Sequence, residues 1–470
     1  MFVAHFLVVL PIAAATKLYS TYEFNPLEHL TGVAPYFEPQ NPPLSPGPPR
    51  KCTPVRAAYL SRHAAIYIND FDYESYIEPF INKWKNHTNI DWSLIPTLNF
   101  LADWSPPFSD AEEEILTRVG KLEATELGVK LTFRYPNLKL PQRVWAASAE
   151  RTVKSAQALV RGLQLRDGTI NVVPVYEGEQ AGADTLAPSD ACPRYQGSAG
   201  SKQSAQFRDV FTRPIIARLK ALAPGFNFTA YDVYGMMELC GYEAVVKGSS
   251  PFCNLDLFTP DDWLGFEYAE DIRYHYNTGY GSPYSGVIGL PWVRASTDLL
   301  MGDSGNEQDM YISFAHRALP PTIVVAMGLF NNSEFGGSAL TINDTMPLDR
   351  INHRRAWKSS HILPFLGNIA IERLNCSGSY GYSDGDYYRV LVNNAPQQLP
   401  GCGDGPGTSC SRQKFQEYIQ GRVDLFGGFS EKCGVDYGNS TDVLDIYTDP
   451  SVGNGTAVTK RGRRLYNVWK

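Results

Sequence analysis

Short apolar runs recur along the chain, and helical patterns of apolar and polar positions fill the spaces between them. Ala57 to Ser61, Val144 to Ala147 and Met310 to Phe314 read as buried strands. The second runs straight into a helical pattern over Thr152 to Leu165, and the third is closely followed by an apolar helix over Thr322 to Phe330. Further helical patterns cover Ala111 to Tyr135, Ala205 to Ala221 and Thr229 to Gly241. Strands followed by helices predict an α/β fold, a mixed β-sheet flanked by helices. The spans from roughly 90 to 143 and from 188 to 290 are expected to form a smaller, mainly helical inserted lobe. No internal repeat is visible. Residues 16–54, Pro-rich from Pro39 to Pro54, predict an irregular N-terminal wrap, and 55–470 the domain itself.

Each of the three strands ends on a cation. Ser61-Arg62-His63-Ala64-Ala65-Ile66-Tyr67 places an Arg-His pair at the first strand's exit. A histidine that attacks phosphorus needs a cation beside it to hold the phosphoryl oxygens, and adjacent Arg62 and His63 supply both. Arg151, in the first turn of the helix after the second strand, can offer parallel donors to phosphate near the helix's positive end. His316 and Arg317 close the third strand. Strand-end placement agrees with ligands binding beyond the carboxyl ends of strands in α/β sheets.

With these residues in place the chain resembles the histidine acid phosphatases, in the branch of fungal acid phosphatases and phytases. That family's signature is Arg-His-Gly-x-Arg-x-Pro, an Arg after the second strand, and a late His-Asp followed by an Ala-x-Gly-Leu-[Phe/Tyr] helix. Arg62, His63, Arg151 and His316 match it, as does Ala326-Met327-Gly328-Leu329-Phe330. Leu116-Thr117 with Gly120 and Gly128, Ser250-Pro251-Phe252-Cys253 with Leu257-Phe258-Thr259, and Gly279-Tyr280-Gly281-Ser282-Pro283 extend the resemblance over nearly all of the chain. It implies a histidine phosphatase (phosphoglycerate mutase-like) fold, His63 as nucleophile, His316 stabilising the phosphoryl group, and Arg62 and Arg151 binding phosphate. It also implies disulfides Cys52–Cys376, Cys192–Cys433, Cys240–Cys253 and Cys402–Cys410, where the even cysteine count alone leaves roughly a hundred connectivities.

The departures limit what carries over. Ala64 stands for the family Gly, Ile66 for its second Arg, Ile68 for its Pro, and Arg317 for the Asp that protonates the leaving alkoxide. Losing one phosphoryl donor costs about 10²–10³ in rate, and losing the acid about 10²–10⁴ for a poor leaving group. Arg317 cannot replace it, since a guanidinium keeps its proton. Three readings remain: a working but altered phosphatase, which is preferred; a pseudophosphatase retaining an anion site; and an enzyme turned to another secreted small molecule. The segment Asn69 to Glu74 could put a carboxyl over the pocket, although a solvated acidic loop is the favoured reading.

Net charge is −7 with a pI near 5.7, which does not suggest a nucleic-acid partner. The basic cluster Lys460 to Arg464 reads as a solvated tail or processing site. Asp70, Asp72, Glu74 and Glu78 surround the first motif with negative charge, making phytate a poor candidate substrate. The expected ligand is a small phosphorylated or anionic molecule, with no cofactor and no metal site. Phe2 to Ala15 reads as a signal peptide, 1–15, too short to span a membrane. Glycosylation acceptors at Asn86, Asn227, Asn331, Asn343, Asn375, Asn439 and Asn454 fit a secreted, extracellular protein. His275, between two tyrosines, reads as core, and His353 and His361 as surface or packed residues. Oligomeric state is not legible.

Overall fold

A computed structural model describes residues 24–164, 170–302, 308–332, 345–438 and 440–449. The signal segment, the acceptors Asn343, Asn439 and Asn454, and the basic cluster at 460–464 lie outside the described residues. An eight-stranded mixed sheet runs in the order β3-β2-β4-β1-β5-β6-β7, with β8 added to β6. The strands are β1 Cys52–Arg62, β2 Arg143–Ala147, β3 Asn171–Val175, β4 Met310–Ala315, β5 Asn368–Cys376, β6 Gly385–Val392, β7 Ala395–Gln397 and β8 Cys410–Ser411. β3, β2, β4 and β1 are parallel, and β5 returns antiparallel to β1. β2 and β4 are buried along almost their whole length, as strands covered on both faces by helices must be.

β1 begins at Cys52, earlier than the apolar run suggests, because Cys52 to Pro54 already pair with Leu374 to Cys376 of β5. The same edge carries the disulfide Cys52–Cys376; the others are Cys192–Cys433, Cys240–Cys253 and Cys402–Cys410. The wrap before β1 is irregular but not merely superficial, since Leu30 to Ala34 are buried.

The helix expected from Ala111 starts only at Arg118 and ends at Arg134. Upstream, Leu116 and Glu113 form bridges with Ile66 and Ile68, which hold that stretch extended beside the first motif. Thr117 then caps the helix, its Oγ1 accepting from Gly120 N at 2.8 Å. This helix lies against the helix Glu150–Leu163 beside the sheet, and Arg134 reaches Glu372 of β5 at 3.1 Å. Helix Ser201–Leu222 packs on both Ala230–Lys247 and Pro260–Asn277. Ser285–Met301 packs on Leu319–Ala326. The latter helix stops short of Phe330, because Gly328 adopts φ +70° and its N–H closes on Val325 O.

Candidate active site

The four parallel strands deliver their exits to one edge of the sheet. His63 follows β1, His316 and Arg317 follow β4, Arg151 opens the helix after β2, and Glu177 comes two residues after β3. His63 is pinned by its backbone: its N–H donates to Ala315 O at 2.9 Å, and its carbonyl accepts from Leu366 N at 3.2 Å.

The His63 ring is buried, and its Nδ1 lies 2.9 Å from Ala64 O, so Nδ1 carries the proton and Nε2 keeps its lone pair. Burial, then the charges of Arg62, Arg151 and His316, hold this imidazole well below the usual histidine range. A neutral ring with a free Nε2 is the nucleophilic form.

Arg62 is also buried. Its Nη1 donates to Gly32 O and Leu363 O at 2.6 Å each, and the guanidinium lies 4.3 Å over the Phe365 ring. Burial pushes its pKa down to about 10, still a cation at neutral pH. Arg151 pairs with Glu114 at 2.9 Å. The His316 Nε2 lies 2.8 Å from Glu177 Oε2, and the two histidine rings stand 6.0 Å apart, edge to face. Three polar atoms here are buried without a hydrogen-bond partner among the described residues: Arg62 Nε, Arg151 Nε and His316 Nδ1. Buried polar atoms left unpaired are costly, and three beside one neutral histidine make a cradle for an anion.

Glu177 is the member that motif reading misses. Its Oε1 accepts from Ala149 N at 2.7 Å and from Ser148 Oγ at 3.0 Å. Burial opposes its charge, but the bonds from His316, Ala149 and Ser148 hold its carboxyl below the ordinary range. Glu177 therefore couples the exit of β3 to the turn bearing Arg151 and to His316. Gly32 is likewise contributed by the N-terminal wrap, which motif spacing cannot reveal.

The departed positions have different surroundings. Ala64 is not among the positive-φ residues, so its methyl group meets no backbone penalty, and its N–H is taken by Ser155 Oγ at 2.9 Å. Ile66 and Ile68 are buried in the main apolar cluster. Arg317 turns toward Asp72, 3.9 Å away, and Asp72 accepts from Tyr242 Oη at 2.6 Å. The favoured reading of the 69–74 segment as a solvated loop therefore fails at Asp72, which is 2% exposed, while Asp70 and Glu74 are exposed. Tyr274 and Asp72 raise the Arg317 pKa against the cost of burial, so its cation is secure. Nearby Glu238 is pushed well above the carboxylate range by burial, then by Asp72 and Glu270.

Away from this edge, His275 is buried in the core. Arg355, near His353 and His361, is locked to Glu267 at 2.9 Å and Asp271 at 2.5 Å. Among the described residues no cluster of His, Cys, Asp and Glu is arranged to hold a metal, and no helix is long and apolar enough to cross a membrane.

Fold and site together define an α/β protein with two histidines and two arginines gathered at the carboxyl edge of a mixed sheet. Residues 61–393 match the family described as the histidine phosphatase superfamily (branch 2), and the chain belongs to it. Among its relatives are a thiamine-repressible acid phosphatase of Schizosaccharomyces pombe, 29% identical over 89% of this chain and 92% of that protein, and the acid phosphatase PHO1 of Komagataella pastoris, 29% identical over 88% and 87%. The phytase PHO112 of Candida albicans is 27% identical over 92% of this chain and 91% of its own. The crystal structure of the D. castellii phytase superposes with a TM-score of 0.82 over 95% of both chains at 24% identity, which establishes the shared fold.

Proposed function

We propose that the protein is a secreted acid phosphatase that hydrolyses phosphomonoesters through a phosphohistidine on His63, at a rate weakened by the altered motif. The observation that carries this reading is the convergence of three buried, unbonded donor positions on a neutral His63. His63 Nε2 attacks phosphorus, the N–P bond forms as the ester P–O bond breaks, and Arg62, Arg151 and His316 hold the phosphoryl oxygens. Water then attacks the phosphohistidine, returns the electron pair to Nε2 and releases phosphate. The acid phosphatases and phytases among the relatives support this class of chemistry. The exposed Asp70 and Glu74 argue against phytate as substrate. Four disulfides, and acceptor residues Asn86, Asn227 and Asn375 lying exposed, support secretion and glycosylation.

A second reading, an anion-binding pseudophosphatase, draws on Arg317 standing in ion-pair reach of Asp72 where a proton donor belongs. Alkali-quenched labelling with a 32P-labelled aryl phosphate separates the two. Label that is stable in alkali, labile in acid and lost in His63→Ala supports the enzyme. Phosphate binding without label supports the pseudophosphatase.

A further inference from the structure

The carboxyl expected beside His316 is replaced by Arg317, so the leaving group's proton needs another source. Several titratable groups border the pocket, and they are not equally placed to give it. Asp72 is engaged by Tyr242 and faces Arg317. Glu238 shares the face of the helix Ala230–Lys247 with Tyr242, one turn away, and the charges acting on it are those of Asp72, Glu270, Arg273 and Arg317. Glu114 is held by Arg151, and Asp190 is exposed. Asp72 Oδ1 and Glu238 Oε2 are likewise buried without a partner among the described residues, but His316 is the group that stands beside His63: the rings are 6.0 Å apart, Nε2 is anchored on Glu177, and Nδ1 is buried and unbonded.

Resting on the phosphatase reading above, we propose that His316, clamped by Glu177, is the proton donor to the leaving group, with Glu177 as the positioning residue that fixes its ring through Nε2. The geometry supplies each requirement. Glu177 is fixed by Ala149 N and Ser148 Oγ through its other oxygen, so the carboxylate cannot swing away from His316 Nε2. An ionised carboxylate only accepts, which requires Nε2 to carry a proton. Nδ1 lies on the opposite flank of the ring, and the His63 ring is 6.0 Å away. In the proposed complex the ester phosphorus lies in line with His63 Nε2, and the leaving oxygen, opposite Nε2, accepts from His316 Nδ1.

In the first step His63 Nε2 forms the N–P bond, the P–O pair goes to the leaving oxygen, and the Nδ1 proton of the His316 imidazolium transfers to it. His316 is then neutral, its Nε2 keeping its own proton and still donating to Glu177. In the second step Nδ1 takes a proton from the attacking water, the N–P pair returns to His63 and His316 is an imidazolium again. The charged and titratable groups facing His316 are Glu177 after β3, Arg62 and His63 after β1, Arg151 on its helix, Asp190, and Arg317 beside it in sequence. A donor that gives up its charge as it acts serves less well than a separate acid and cation, which fits a weakened enzyme.

The test compares 4-nitrophenyl phosphate with glycerol 2-phosphate across pH in the wild type, Glu177→Gln, Glu238→Gln and Asp190→Asn, alongside the burst of phosphoenzyme from the aryl ester. Glu177→Gln should lower kcat on the glycerol ester about 10²-fold and on the aryl ester only a few-fold, with the vanadate affinity little changed. A merely structural role would depress both substrates alike, and that result overturns the proposal. So does a selective loss in Glu238→Gln or Asp190→Asn with none in Glu177→Gln. A burst with an unchanged aryl-to-alkyl ratio in Glu177→Gln overturns this assignment and leaves the phosphatase reading standing, whereas no burst in the wild type overturns both. Nitrogen-15 NMR of the wild-type vanadate complex needs no variant: both His316 ring nitrogens should carry protons, and an unprotonated Nδ1 there refutes the donor role.

Discussion

At the scale of single residues, the site is set by which polar atoms are satisfied by protein and which are not. Arg62 spends Nη1 on two carbonyls, and that anchoring fixes its guanidinium beside His63 at the cost of free donors. Arg151 is less buried and balances Glu114, so it is the phosphate contact most open to test. Arg151→Ala should leave the fold intact and weaken vanadate binding by roughly 2–4 kcal/mol, the worth of a preorganised anion donor, measured by calorimetry. Equal affinity would place the anion elsewhere. Asp72 calls for the opposite kind of prediction. Asp72→Ala removes the carboxylate opposite Arg317 and leaves Tyr242 Oη unpaired, so thermal stability should fall by about 3 kcal/mol or more. Asp72→Asn, which keeps an acceptor for Tyr242, should lose less, and an equal loss would show that the charge and not the hydrogen bond matters.

At the scale of elements, Arg151 is only as well placed as the helix it opens. Helices Arg118–Arg134 and Glu150–Leu163 touch backbone to backbone at Gly128 and Gly162. A Cβ on Gly128 would sit 2.2 Å from Leu159 O, and one on Gly162 would sit 1.9 Å from Thr125 O. Gly128→Val should therefore push the helices apart, costing roughly 1–3 kcal/mol and weakening vanadate binding through Arg151; a melt combined with calorimetry reads both. Strand-to-turn motifs such as Arg62-His63 and His316 are legible in sequence because the strand, its exit and the chemical group are contiguous. Glu177, Gly32 O and the burial of Asp72 are not, because each acts on residues far away in the chain. Helices Pro260–Asn277 and Ser285–Met301 escape periodicity reading for a related reason: most of their positions are buried on all sides, which erases the polar face. The early part of the Ala111–Tyr135 pattern fails differently, since pairing with Ile66 and Ile68 overrides its local preference.

At the scale of the whole molecule, acid pH works against this fold even though it suits the proposed chemistry. His275 is 1% exposed, and both its ring nitrogens lack hydrogen-bond partners among the described residues. Burial brings its pKa down to about 4, and brings that of His361 down to about 4 as well. His63 is depressed by the same cause and by its cationic neighbours. Each of these histidines is neutral in the native state and takes up a proton near pH 6.5 once unfolded. The unfolded chain therefore binds more protons, so stability rises with pH: the contribution is complete above about pH 6.5 and is lost progressively as pH falls toward 4. For His275 alone the loss is on the order of 3 kcal/mol at the low end of that window. Thermal melts should show Tm falling steadily from pH 7 to pH 4. Replacing the unpaired imidazole by an apolar side chain, His275→Leu, should flatten that fall while leaving the burst of phosphoenzyme intact, because the His275 ring packs on Tyr276 and Trp357 and makes no contact with the site residues His63, Arg151 or His316. A variant whose Tm falls with pH as steeply as the wild type would assign the acid sensitivity to the carboxylates, with the Glu267–Arg355–Asp271 network as the next group to titrate.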